Sequence, residues 1–219
     1  MPLPIILKAK LMANAMAGWT AVASPMPMPA ETVATLVAAN TAAPVPVSLY
    51  DENDHQQGVV AIWRDGSTDA DTHDELKRLF RCRRTHREAA IAPATLAMLA
   101  DIAERYAGKT IEYVSAYRAN RAESATSPHR HAAAVDFRIR GEQLRTIRDY
   151  LWRNYTGIGV GWYPEGQYIH IDSRPTLHDT SWTFLHGANR YDPSWAVLAR
   201  RVEGPPEAPQ IAVNHRPGS

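Results

Sequence analysis

Hydrophobic and polar positions alternate in some stretches of the chain and recur with helical spacing in others. Alternation over residues 47–63, around a turn-rich segment at 51–58, predicts a β-hairpin. Apolar residues spaced three and four apart predict helices over residues 70–83 and 93–108. The second of these begins with proline and ends with glycine, which are the residues that suit a first helical turn and a helix end.

The second half of the chain continues this mixture of patterns. The sequence IEYVSAY at 111–117 and the sequence QYIHIDS at 167–173 each predict a strand. The segment 127–138, SPHRHAAAVDFR, also ends in a strand pattern. Apolar residues on one side of 142–155 predict a further helix, so strands and helices are interspersed along one domain.

Two of these segments carry the side chains that bind zinc in proteins. His129 and Asp136 lie seven positions apart in the segment 127–138, and His170 lies in the middle of the strand at 167–173. Two imidazoles and one carboxylate hold a catalytic zinc ion with one coordination position left open. The sequence therefore predicts one zinc ion per chain on these three residues.

The predicted strand at 167–173 also separates polar from apolar side chains. Residues two apart share a strand face, so Tyr168, His170 and Asp172 are expected to point the same way. Ile169 and Ile171 are expected to face the core.

Composition limits the classes of protein that remain. The 219 residues carry a net charge of +1 with 45% hydrophobic residues, which fits one globular domain with appendages. The balanced charge lacks the excess of basic residues that is typical of proteins that bind nucleic acid. Cys82 is the one cysteine and excludes an internal disulfide.

The ends of the chain differ from its middle. Residues 1–46 are rich in Ala, Met and Pro, and two lysines precede an apolar stretch with small residues after it. This pattern predicts an exported leader, with a disordered Ala/Pro-rich leader as the alternative. The stretch 196–219 is rich in proline and is predicted to be a disordered tail, which leaves 47–195 as the domain. The sequence contains no run of 18 or more apolar residues, so it does not predict a conventional membrane span.

Four segments, in the same order along the chain, resemble those of a known family. SPHRHAAAVD is similar to the SxHxxGxAxD motif of the LAS-type zinc peptidases, which include D-Ala-D-Ala metallopeptidases and the hedgehog signalling domain. GVGWYPEGQYIHID resembles the GVGYYP…FVHVD segment of the YcbK-like murein endopeptidases in that group. VSLYDENDHQQGVVAIWRDG and IEYVSAYRANRA extend the resemblance over residues 47 to 182.

The resemblance implies a fold, a substrate and a further site residue. It implies an α+β domain in which a small antiparallel sheet, flanked by helices, carries the zinc site. It implies an endopeptidase or carboxypeptidase that cuts D-amino-acid-containing peptides of peptidoglycan in the periplasm or cell envelope. Arg118 matches the family's SxYR arginine at the mouth of the metal site, where a guanidinium can stabilise a developing oxyanion or bind a substrate carboxylate.

The sequence departs from the family at two places that matter for chemistry. Ala132 stands where the family usually has glycine, so the turn there is expected to avoid the positive φ that alanine resists. Related enzymes place a glutamate or histidine two or three residues before the last ligand, and those positions here hold Tyr168 and Gln167. Asp172 is the first candidate for the general base, unless it instead orients a ligand imidazole, and Glu165 is the second.

Three questions stay open at the level of sequence. A zinc-stapled but inactive binding module of the hedgehog kind is one alternative, because the usual base position is not filled. A wall protein without metal, in which the three residues form a hydrogen-bonded cluster, is another. His131 lies two residues from His129, and it could compete with His129 as a ligand.

Overall fold

A β-hairpin begins the part of the chain that the computed structural model describes, residues 43–174 and 178–201. β1 (Val45–Asp51) pairs antiparallel with β2 (Gln57–Ile62), as the alternating pattern predicted. Most of the predicted leader and tail lies outside the described residues. The domain bounds of 47–195 stay a prediction.

The hairpin forms one edge of an eight-stranded sheet in the described chain. The other strands are β3 (Thr110–Ser115), β4 (Ala134–Ile139), β5 (Ile158–Tyr163), β6 (Tyr168–Ser173), β7 (Thr180–Leu185) and β8 (Ala188–Tyr191). Their order across the sheet is β2-β1-β3-β4-β6-β5-β7-β8. β4 and β6 therefore lie side by side in the middle of the sheet.

The sheet differs from the small antiparallel sheet that was predicted, although the α+β class is confirmed. It has eight strands, and it is mixed, because β1 pairs parallel with β3 and β5 pairs parallel with β7. The first of these pairs joins Ser48 to Thr110 across two helices. Alternation within a single segment cannot reveal a partner so distant in sequence.

Four helices accompany the sheet in the described residues. They are α1 (Ala70–Leu79), α2 (Pro93–Arg105), α3 (Leu144–Asn154) and α4 (Ser194–Arg201). Asp69 caps α1, and its Oδ1 accepts a hydrogen bond from the Thr72 N–H at 2.7 Å. No local pattern in the sequence predicted α4. None of these four helices has the length and apolar character that crossing a membrane requires.

The two central strands have one apolar and one polar face. On the apolar face, four side chains are fully buried in the core with residues of α2 and α3: Val135, Phe137, Ile169 and Ile171. The side chains of Asp136, His170 and Asp172 alternate with them and line a cavity on the other face. The predicted division of the strand at 167–173 is thus confirmed.

Candidate metal centre

β4 and β6 bring together two of the three predicted zinc ligands. Asp136 lies directly opposite His170 in the antiparallel pairing of these strands. Directly opposed residues have Cβ atoms about 4.5–5.5 Å apart, so their side chains meet on the same face. His129 joins them from a single turn of 3-10 helix, Pro128–His131, just before β4. All three side chains are buried.

Ala132 turns the chain from this short helix into β4. Its φ of 52° and ψ of 32° lie in the left-handed region, so the prediction that alanine avoids a positive φ here is wrong. An L-residue in this region costs about 1–2 kcal/mol. Hydrogen bonds on both sides offset that cost: the Ala92 N–H donates to the Ala132 carbonyl and the Ala133 N–H to the Pro128 carbonyl, both at 2.9 Å.

Three donor atoms converge on one point between these elements. His129 Nε2 lies 3.1 Å from His170 Nδ1 and 3.3 Å from Asp136 Oδ1, and the last two atoms are 2.7 Å apart. Ligands bound to zinc at about 2.0–2.1 Å in a tetrahedron are separated by about 3.3 Å. The spacing of the three atoms therefore fits one zinc ion with a further position for another ligand.

The hydrogen positions on the two histidines also fit a cation. His129 Nδ1 lies 2.6 Å from the Ala116 carbonyl, which can only accept, so this nitrogen carries the hydrogen. His170 Nε2 likewise donates to Asp172 Oδ2 at 2.9 Å. With both rings neutral, His129 Nε2, His170 Nδ1 and Asp136 Oδ1 would each direct a lone pair at the other two atoms. A buried arrangement of this kind requires a positive charge in its centre.

In the metal-free protein, a proton on His170 supplies that charge. Burial lowers the pKa of His170, but its hydrogen bonds to Asp136 and Asp172 outweigh burial and raise the pKa to about 9. Burial likewise raises the pKa of Asp136, but the attraction of His129 and then of His170 is larger and holds it far below its usual range. Asp136 therefore stays ionised, and a metal ion that binds here must displace the His170 proton.

Asp172 lies behind the His170 ring, at the nitrogen that faces away from the three donor atoms. It is fully buried, and its Oδ1 lies 2.8 Å from Arg174 Nε. Burial raises its pKa, yet the hydrogen bond with His170 and the charge of Arg174 outweigh burial and lower it. Gly159 faces Asp172 across the β5–β6 pair, where a Cβ atom would lie 2.1 Å from Asp172 Oδ2. Glycine at this position thus leaves room for the carboxylate.

Arg118 lies beside the same centre, just after β3. Its guanidinium donates to Asp136 Oδ2, and its Nε donates to Ser115 Oγ at 2.8 Å. Its Nη1 lies 3.7 Å from Glu123 Oε2, and the side chain is 32% exposed. The backbone N–H of Arg118 donates to the His129 carbonyl at 3.1 Å. Arg118 therefore fixes the orientation of Asp136 and still presents charge to the solvent.

A cavity of about 390 Å³ opens onto the donor atoms. Aromatic residues that the sequence analysis did not assign to the site form one wall: Tyr163, Tyr168, Trp182 and Tyr191. The rings of Tyr163 and Tyr168 stack with their centroids 4.5 Å apart. Burial, and then the charge of Asp136, raises the pKa of Tyr168 well above its usual value, so its hydroxyl keeps its proton and can donate a hydrogen bond.

The other predicted candidates lie elsewhere. Glu165 is exposed and pairs with His186 at 3.3 Å, and neither residue lines the cavity. His131 is exposed and hydrogen bonds the Ala125 carbonyl at 2.9 Å, so His129 supplies the converging atom. The base role assigned to Asp172 or Glu165 stays a prediction. Glu123 lines the cavity and was missed, because it lies in a polar loop with no strand or motif to mark it.

The α+β fold and a buried His–Asp–His cluster that could hold a metal ion agree with the class that the motifs indicated, the LAS-type peptidases. The chain belongs to the family described as "Peptidoglycan L,D-endopeptidase MepK", which matches residues 39–178. The YcbK-like resemblance is thereby confirmed.

Curated relatives are similar to the central part of the chain. Proteins named peptidoglycan L,D-endopeptidase MepK from Escherichia coli K12, Escherichia coli O157:H7 and Shigella flexneri are each 30% identical to it over 119 residues. The matched stretch covers 48% of this chain and 63% of each relative. No solved structure gives a significant match.

Proposed function

We propose that this protein is a zinc-dependent endopeptidase that hydrolyses peptide cross-links of peptidoglycan. The observation that carries the proposal is the convergence of three atoms, His129 Nε2, His170 Nδ1 and Asp136 Oδ1, at the floor of an open cavity. The curated relatives are named L,D-endopeptidases, and this name supports cleavage between stems over removal of a terminal residue.

His129, Asp136 and His170 hold the zinc ion, one per chain. The ion, when bound, supplies Lewis acidity and an acidified water for peptide hydrolysis. Arg118 keeps Asp136 in its orientation and directs the remaining charge of its guanidinium at the carbonyl oxygen of the substrate. The Tyr168 hydroxyl lines the same cavity and donates a hydrogen bond to the substrate.

Asp172 is a positioning residue in this proposal. Its carboxylate accepts the hydrogen of His170 Nε2 and so keeps His170 Nδ1 free for the metal. Full burial and the pairing with Arg174 fix this carboxylate at His170 Nε2, the nitrogen that faces away from the three converging atoms.

Glu123 accepts the proton from the attacking water. Among the described residues that line the cavity, the carboxylates are Asp136, Asp172 and Glu123. The first two are committed to the metal and to His170. Glu123 is partly exposed, and its ion pair with Arg118 is long at 3.7 Å, so its oxygens are available to water.

The substrate determines where the protein works. Peptidoglycan lies outside the cytoplasmic membrane, so the protein acts in the periplasm or cell envelope after export. The basic and apolar pattern in residues 1–46 supports this route.

Zinc content and cleavage are measured together to test the proposal. We expect about one zinc ion per chain in the wild-type protein and release of cross-link fragments from purified peptidoglycan. His170→Ala should lose both, and His131→Ala, which removes an exposed histidine two residues from His129, should keep both. Bound zinc without cleavage of any fragment would support the inactive binding module instead. Absence of zinc binding would leave only the metal-free cluster.

A further inference from the structure

A second cavity, of about 580 Å³, adjoins the one above the metal centre. The two cavities share the side chains of Arg118, Glu123, Asp136 and Tyr168. A peptide whose scissile bond lies at the donor atoms can therefore extend into the second cavity. What lines that cavity decides which substrates fit.

A loop of basic residues, 81–87, with the sequence RCRRTHR, forms one wall of the second cavity with its first four residues, 81–84. The loop is closed on itself, because the Cys82 N–H donates to the Arg87 carbonyl at 2.8 Å and the His86 N–H donates to the Cys82 carbonyl at 2.7 Å. Arg81, the first residue of the loop, is held in place by an ion pair with Asp54 at 2.7 Å. The loop thus has a defined shape without using its remaining arginines.

Arg83 and Arg84 line the cavity and are exposed. Within the described chain, neither side chain has a hydrogen bond, an ion pair or an aromatic partner. The other two arginines of the cavity, Arg81 and Arg118, are both paired with carboxylates. The cavity therefore presents two guanidinium groups without an anionic partner of their own.

The backbone connects this loop to the metal centre. The Tyr117 N–H donates to the Phe80 carbonyl at 3.2 Å, next to the loop, and the Arg118 N–H donates to the His129 carbonyl at 3.1 Å. Tyr117 is thus bonded to the residue before the loop, and the next residue, Arg118, is bonded to the turn that carries His129. The loop and the metal centre are held in a fixed relation.

We infer that Arg83 and Arg84 bind free carboxylates of the peptide stem of the substrate and so select cross-links whose stems are not amidated. The inference rests on the proposed function. Guanidinium groups are always charged at physiological pH and pair with carboxylates through two parallel hydrogen bonds. Stem peptides of peptidoglycan offer carboxylates that are free unless they are amidated, and these lie within a few bonds of the cross-link.

Two measurements test this with the full-length, zinc-loaded protein. The first is kcat/KM for a cross-linked stem dimer with free carboxylates and for the same dimer with those carboxylates amidated. The second is the Kd of an uncross-linked stem peptide in both forms, which reports binding where no cross-link can be cut. The variants are Arg83→Gln/Arg84→Gln and, as a matched control, Arg87→Gln, which removes an exposed arginine of the same loop that does not line the cavity.

We expect the wild-type protein to prefer the free carboxylate form about tenfold in both measurements, the size of two partly exposed charge pairs. The double variant should lose this preference through KM, with kcat kept, and Arg87→Gln should retain it. Equal effects in Arg87→Gln would indicate general attraction and overturn the inference, as would an unchanged preference in the double variant. Carboxylate-dependent binding without cleavage would sustain the arginine site while the proposed function fails.

Discussion

Charged groups behind the candidate metal centre are paired with one another, whereas, in the described chain, two arginines of the adjoining second cavity are not. Behind His170, Asp172 is fully buried and paired with Arg174, so the groups that orient the imidazole are fixed before any ligand arrives. In front, Arg83 and Arg84 face an open cavity with no anionic partner in the described chain. For the proposed function, such a site would hold the zinc ligands rigidly and leave the charge of Arg83 and Arg84 available to bind substrate.

The difference is sharpest for the carboxylates, which share a chemical group but not an environment. Asp136 and Asp172 are buried and committed to partners, whereas Glu123 is partly exposed beside Arg118. Their partners lower the pKa values of Asp136 and Asp172 and make them fixed charges, whereas the oxygens of Glu123 are open to water.

Replacing Glu123 by Gln removes the one carboxylate that we assign to proton transfer. We expect kcat to fall by about 10²–10⁴-fold, the usual contribution of a general base, with zinc content unchanged. Glu165→Gln is the matched control, since Glu165 is an exposed acid outside the cavity. A large loss in Glu165→Gln and none in Glu123→Gln would reverse the two assignments.

Zinc affinity should depend strongly on pH, because the metal displaces the His170 proton. With a pKa of about 9 in the metal-free protein, affinity should rise about tenfold per pH unit, or about 100-fold from pH 6 to pH 8. Competition with a chelator, corrected for its own titration, measures this. Equal affinity at pH 6 and pH 8 would show that no proton is displaced.

The same proton changes the stability of the metal-free protein in the opposite direction. The pKa of His170 is raised above its unfolded value of about 6.5. Its contribution to the free energy of unfolding is therefore complete below pH 6.5 and is lost as the pH rises to about 9. Urea unfolding of the metal-free protein at pH 6 and pH 9 should show the higher midpoint at pH 6.

Asp172→Asn removes the carboxylate that orients the His170 ring and leaves the residues of the second cavity unchanged. We expect zinc to bind about 10–100-fold more weakly, as for other residues that orient a metal-binding histidine. Asp101→Asn is a suitable control, because Asp101 accepts hydrogen bonds from Tyr150 and Tyr155 and lies outside the cavity. If Asp172→Asn bound zinc normally and lost turnover, its assignment as general base would replace the positioning role.

Ala132→Gly should have the smallest effect, and a stabilising one. Glycine adopts a φ of 52° without the cost that alanine bears, so we expect the free energy of unfolding to rise by about 1 kcal/mol. Chemical denaturation of both proteins measures the difference. Destabilisation would mean that the methyl group of Ala132, which is buried, contributes more by packing than it costs in backbone energy.

The sequence predicted the centre of the molecule better than its periphery. His129, Asp136 and His170 lie in short segments whose strand patterns and ligand types are both local, and the structure brings these residues together. The parallel pairing of β1 with β3 depends on contacts between distant segments, and no local pattern reports it. Glu123, Tyr163, Trp182 and Tyr191 were missed for the same reason, because their place in the site follows from the tertiary fold, whereas Tyr168 shares the predicted strand face of His170.

One of the three converging atoms comes from a residue far along the chain from the other two, and for the proposed zinc site this implies an order of folding and metal binding. His129 and His170 are separated by 41 positions, and Asp136 and His170 by 34. No short unfolded segment contains the complete set, so nascent or extended chain has little means of capturing zinc. Under the proposed function, loading with zinc would therefore follow folding, and the compartment where β4 and β6 first pair would decide which metal the protein receives.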